Sequence, residues 1–200
     1  MISPRSNGEI MAQGLYSTTK RALAFYDKQM LDSLNQAMQD YIMRQEMVFI
    51  ATSDGAGECD SSFRAGLPGF IRVLDEKTLI YPEYRGNGVM ASIGNILENN
   101  HIGMMFIDFF ESTVGLHVNG SAQVIENDQV LALTNIPDSV LSDLVAKGGR
   151  KPERWIKVSV LEAYVHCSKH VPLLAKLDKK IHWGTDNSKH KGGDYFGVSV

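Results

Sequence analysis

Between Met11 and Arg44 apolar side chains recur at roughly helical spacing, at Leu15, Ala22, Leu23, Phe25, Tyr26, Met30, Leu31, Leu34 and Met38. This pattern predicts one long helix, or two shorter ones broken near Asp27 or Asp32. Residues 1–9, rich in Ser, Pro, Asn and Gly, read as disordered. Beyond residue 45 the period changes. Val48-Phe49-Ile50-Ala51-Thr52 predicts a strand, and Ser53-Asp54-Gly55-Ala56-Gly57 a turn carrying an Asp-Gly pair. Residues 70–74 and 78–81 predict two strands of a hairpin closed by Asp75-Glu76-Lys77. Val89, Ile93, Ile96 and Leu97 form the apolar stripe of a short helix. Residues 102–107 are continuously apolar and read as a buried strand, facing either the core or an interface. Val114, Leu116 and Val118 alternate with Gly115, His117 and Asn119, the period of a half-buried strand. Residues 128–146 carry a helical pattern interrupted by Pro137, with Asp138 placed to cap a new helix. Residues 155–165 predict another strand and 173–181 a further helix, and from Gly184 the chain is polar until Tyr195-Phe196-Gly197-Val198.

Roughly six short strands joined by tight turns, with helices inserted at intervals, predict an α+β fold built on an antiparallel barrel. A doubly wound parallel sheet needs a crossover helix between successive strands, and Asp75-Glu76-Lys77 leaves no room for one. The expected organisation is a partly helical extension over 1–45, a barrel domain over 46–185 and a tail over 186–200.

Composition narrows the partners. With 44% hydrophobic and 22% charged residues the chain reads as an ordinary globular protein. A formal charge of −3 argues against a nucleic-acid partner, which would require a basic face. The apolar run 102–107 is too short to cross a bilayer, and the opening Met1-Ile2-Ser3-Pro4-Arg5-Ser6 lacks the apolar run of a signal peptide. Cys59 and Cys167 lie far apart, giving neither a metal spacing nor a disulfide framework, so the expected location is the cytoplasm.

Two turns carry candidate chemistry. Ser62-Phe63-Arg64-Ala65-Gly66-Leu67-Pro68-Gly69-Phe70 places an arginine beside a glycine-proline turn, and Tyr81-Pro82-Glu83-Tyr84-Arg85-Gly86-Asn87 places a second arginine just before a helix. Guanidinium charge with free backbone N–H groups in two places suits an anionic cofactor such as a flavin phosphate; two ordinary polar turns would read the same way. His117 reads as exposed or hydrogen-bonded, and His166, Cys167 and His170 as structural residues with no metal. Trp183 is either a tail residue, the preferred reading, or a lid over a bound ring. No serine sits in a nucleophile elbow and the histidines form no triad.

These motifs, with Asn95-Ile96-Leu97-Glu98-Asn99, Val118-Asn119-Gly120 and Tyr164-Val165-His166-Cys167-Ser168-Lys169, resemble in order and spacing the pyridoxamine 5'-phosphate oxidase-related family of FMN-binding split barrels. The resemblance spans about residues 45–185. It implies an FMN-dependent oxidoreductase acting on a small molecule, built as a homodimer with the cofactor in a groove between subunits. Carried over residue by residue, Arg64, Ala65, Gly66 and Leu67 would line the flavin, Tyr81 and Pro82 would touch ring and ribityl chain, and Arg85 with Asn87 would hold phosphate. Ser92 and Asn95 would add hydroxyl and amide contacts, Thr113 would come from the partner subunit, and the N–H groups of residues 65–67 would face the ring's N5. A flavin needs no side-chain acid or base for hydride transfer, so no catalytic side chain is assigned. The chain departs from the oxidases themselves in three places. It reads Arg-Gly-Asn-Gly where they have a Ser-Arg-Lys-like turn, lacks their C-terminal Arg-x-His motif, and has His117 where related members carry Arg. Oxidation of vitamin B6 phosphates is therefore not expected. The alternatives are a non-catalytic flavin or haem module hooked on His166 to His170, and a deazaflavin in place of FMN.

Overall fold

In a computed structural model, which describes residues 6–185 and 187–198, the chain forms an α+β split barrel whose eight strands are all antiparallel. The N-terminal region folds as three short helices: α1 (Asn7–Leu15), α2 (Thr19–Gln29) and α3 (Gln36–Arg44), with the two-residue strand β1 (Met30–Leu31) between the second and third. Helix α1 starts earlier than its apolar pattern, because Ser6 caps it by accepting the Glu9 N–H at 3.1 Å. The disorder expected for 1–9 is thus corrected for residues 6–9, and residues 1–5 lie outside the described residues. Asn35 caps α3 through the Met38 N–H, which turns Ile42 fully into the core.

The sheet runs β3 (Cys59–Ala65), β2 (Met47–Ser53), β6 (His101–Ile107), β7 (Gly115–Ile125), β8 (Arg154–His166), β5 (Thr78–Glu83), β4 (Arg72–Asp75), with β1 also paired to β8. Edges β3 and β4 do not pair with each other, so the barrel is open. Strand β3 escaped the pattern reading because it is polar; as an edge strand it needs little apolar surface. The hairpin falls where expected, with Asp75 accepting the Lys77 N–H at 2.8 Å across the turn. Short helix α4 (Ala91–Glu98) buries Ile93 and Ile96 against β2 and β7. Two short helices, α5 (Asn127–Val130) and α6 (Asp138–Leu144), replace the single interrupted pattern, and Asp138 sits in the first turn with Pro137 in the capping position.

Strand β5 is buried on both faces. Leu79 and Tyr81 join the main core with Val48, Phe106 and Ile156, whereas Ile80 joins a second cluster with Val130, Val140 and Trp155 beneath α5 and α6. The side chains of strand β6 alternate: Ile102, Met104 and Phe106 face the core, and Met105 and Ile107 lie half-buried on the outer face. Residues 171–182 form no helix. Leu173, Leu177 and Ile181 remain exposed there, so a helix would gain no buried face in return for its ordering. Among the described residues no helix is long and apolar enough to cross a membrane.

Candidate functional site

The end of β3, the end of β5, the turn into α4 and the start of β8 enclose a cleft of about 370 Å³, lined by Asp60, Ser62, Arg64, Glu83, Asn87 and Ser92 among others. Its position follows from register. Strand β5 pairs with β8 so that Glu83 lies opposite Arg154, while the alternation of β3 points Ser62 and Arg64 to the same side. Arg64 Nε donates to Glu83 Oε2 at 3.1 Å, and its Nη1 donates to the Ser62 hydroxyl. Across the cleft Asn87 Oδ1 accepts the Val89 N–H at 3.0 Å, which folds the turn and delivers the chain into α4.

That helix enters unusually. Met90, its capping residue, has φ 60° and no side chain caps the first turn. Met90, Ala91, Ser92 and Ile93 all line the cleft. The uncapped start of α4 and Arg64 therefore border the same space, and orphan helix-start N–H groups near a guanidinium attract an anion. Acid groups oppose it. Asp60, Glu83 and Glu153 against Arg64 and Arg154 leave the lining at a formal −1 (three negative, two positive). Burial pushes the Glu83 carboxyl above its ordinary range, against the pull of Arg64 and Arg154. Tyr81 lies fully buried behind this pair, its hydroxyl the one buried side-chain polar atom without a hydrogen-bond partner among the described residues. Burial raises its pKa strongly, and Glu83 and Arg64 are its charged neighbours.

The expected site residues separate into groups. Arg64, Asn87 and Ser92 share the cleft, with Ser92 buried and its hydroxyl 3.4 Å from Asp60 Oδ2. Tyr81 and Pro82 sit behind it in the buried part of β5. Ala65 ends β3 opposite Met47, and the Gly66 N–H is committed to the Glu46 carbonyl at 2.9 Å, so within 65–67 that donor is already used. A Cβ on Gly66 would overlap the Phe70 side chain. Leu67 faces a different, larger cavity. Arg85 is exposed and outside the cleft lining, and Asn95 donates to Thr52 Oγ1 at 3.1 Å, bracing α4 on β2. Thr113, with φ 55°, lies in the turn before β7 and does not line the cleft of its own chain. Asp60, Glu153 and Arg154 belong to the cleft but carry no signal in the sequence that singles them out, and Tyr84 joins them from within the second turn motif. The pairing of β5 with β8 brings Arg154 there, and no local motif encodes that pairing.

The histidines also find places. His117 is half-buried, its Nε2 3.0 Å from His166 Nδ1, and its ring stacks on Tyr164 at 4.7 Å between centroids. His170 and Cys167 are exposed, and no group of three or more His, Cys, Asp or Glu side chains among the described residues is arranged to hold a metal. Trp183 is half-buried with its ring 5.8 Å from that of Tyr84, which corrects the preferred tail reading.

The family profile described as pyridoxamine 5'-phosphate oxidase matches residues 34–167. No curated protein matches the chain. Among solved structures, a Lactobacillus delbrueckii protein described provisionally as a pyridoxamine 5'-phosphate oxidase is 19% identical, with 68% of this chain and 98% of that one covered, at a TM-score of 0.48. An FMN-binding protein from Syntrophomonas wolfei is 12% identical over 82% of this chain and 99% of its own, at 0.46. The heme storage protein HutZ of Vibrio cholerae is 12% identical over 66% and 94%, at 0.40.

Proposed function

Because the chain belongs to the pyridoxamine 5'-phosphate oxidase family, we propose that it is an FMN-dependent oxidoreductase that binds its cofactor phosphate in the Arg64 cleft. The observation that carries this reading is the uncapped start of α4 opposite the Arg64 guanidinium in one cavity. Helix-terminal N–H groups and a guanidinium are complementary to a phosphate dianion. The Asn87 turn holds α4 in place, and Ser92 offers a buried hydroxyl that a phosphate oxygen can take over from Asp60. Arg64 is held by Glu83 until an anion competes for it. The unpartnered, fully buried Tyr81 hydroxyl lies within electrostatic reach of both Arg64 and Glu83.

When bound, the flavin would supply hydride or electron transfer; the protein supplies binding, orientation and exclusion of water. The cleft spans one chain only, and we propose that a second copy completes it, with Thr113 among the residues it brings. The outer sheet face supports a homodimer: Phe49 and Phe63 pack at 5.5 Å beside half-buried Met105 and Ile107, an apolar surface suited to a like partner.

Titration of the purified protein with FMN, and in parallel with riboflavin, tests the reading. FMN is expected to bind with its fluorescence quenched, and Arg64→Gln to weaken FMN by about tenfold or more while barely changing riboflavin, as loss of one charge-assisted contact implies. A protein that binds no FMN, or one that carries a Soret band in place of a flavin band, would refute it.

A further inference from the structure

Beside the Arg64 cleft lies a second cavity of about 800 Å³, walled by the 67–73 connection, the segment around α6 and Trp183, and sharing only Tyr84 with the cleft. We propose that this cavity is a separate binding site for a small, ring-bearing monoanion, held by Tyr84, Trp183 and Arg150. Three features support it.

The volume is that of a small-molecule pocket. Its charges resolve to one cation: Arg72 is buried and bound to Asp143, to the Phe70 carbonyl and to Ser139, so the pair is neutral, and Arg150 is left over. Arg150 is exposed on the wall and acts electrostatically on both Tyr84 and Asp143, so its charge reaches the cavity. The tail, finally, is seated rather than loose. Gly149 and the Trp183-Gly184 backbone approach so closely that a Cβ on Gly149 would overlap the Trp183 carbonyl, and the indole lies 5.8 Å from the Tyr84 ring. Two rings at one wall and a lone guanidinium recognise a flat apolar body carrying one negative group.

Binding in this cavity does not depend on flavin, and the two are separable by experiment. Trp183 lines the cavity and Trp155 lies 5.7 Å from the guanidinium of Arg72 on its wall, so quenching by a cavity ligand is read in the parent and in Trp183→Phe, whose difference reports on Trp183. The probe is 2-naphthoate, with the neutral 2-naphthalenemethanol as its control. Saturable quenching by naphthoate is expected, weakened about tenfold in Arg150→Gln, with the neutral analogue binding alike in both proteins. Ala146→Phe, which fills the cavity wall, is expected to abolish both. Equal binding of naphthoate and its neutral analogue, or naphthoate binding unchanged in Arg150→Gln, would overturn the proposal. Arg150→Gln is expected to leave FMN titration unchanged. Naphthoate binding with no FMN binding would sustain this site and refute the flavin reading, and the reverse result would do the opposite.

Discussion

Replacing Glu83 by Gln isolates the electrostatic tension in the cleft. The lining carries a formal −1, and the substitution brings it to zero. At a separation of about 6 Å and an effective dielectric constant of about 40, one carboxylate repels each unit of phosphate charge by ~1.4 kcal/mol. That corresponds to about tenfold in Kd. Glu83 also occupies Arg64 Nε at 3.1 Å, so its removal frees the guanidinium for the incoming anion. The expected result is FMN binding at least about tenfold tighter in Glu83→Gln at low ionic strength, with riboflavin unchanged and the gain shrinking in high salt. Stability follows a defined sign. Burial raises the Glu83 pKa in the fold, so ionising it costs folding free energy above that value and nothing well below it. Glu83→Gln is therefore expected to match or exceed the parent Tm at neutral pH, the difference vanishing in acid. Fluorescence titration with FMN and riboflavin, paired with thermal melts, reads both effects. An unchanged or lowered FMN-to-riboflavin preference would refute the placement of phosphate beside Arg64.

Gly66→Ala would force a methyl into Phe70, which is 3% exposed, and is expected to cost about 1–3 kcal/mol by urea unfolding as an overpacked core does. Burial acts upward on the Asp108 carboxyl, but the N–H and hydroxyl of Ser112 and the N–H groups of Phe110 and Glu111 outweigh it and bring the pKa down to about 2. Its stabilisation is thus present above the ordinary 3.8 and lost as pH falls toward that lower value. Asp108→Asn should cost about 1 kcal/mol at neutral pH after solvent screening, and loosen the turn before β7 in hydrogen exchange. Burial, with His166 beside it, lowers the His117 pKa below 6.5, so the fold favours His117 neutral and loses stability as pH drops through and below that value. In His117→Gln, melts between about pH 7 and pH 5 should show a flatter dependence on pH.

How much of this is legible along the chain depends on the range of the interaction. Hairpin β4–β5, helix α4 and strand β7 each carry their own period and turn residues, so Asp75 and the Ile93–Ile96 stripe suffice to locate them. Strand β3 is polar and takes its structure from pairing with β2, so nothing local reveals it. The apolar residues of 173–181 have helical spacing yet no surface to cover, so pattern alone misleads. Within the site, Arg64, Asn87 and Ser92 are visible because family motifs and helix-start chemistry mark them. Glu83 stands out only as part of a motif, since its antagonism to Arg64 exists only once two strands meet. Arg154 and the cavity around Arg150 and Trp183 depend on contacts between segments remote in sequence, which no spacing rule records.

Pro82 lets a strand stop pairing inside the protein. Strand β4 pairs with β5 only as far as Ile80, leaving Tyr81, Pro82 and Glu83 beyond its reach. Tyr81 and Pro82 are nevertheless buried. An ordinary residue at 82 would carry an N–H into that setting, and the imino acid carries none, so the ladder ends there with one donor fewer to satisfy. The wall behind Arg64 is thereby settled without help from any solute that enters.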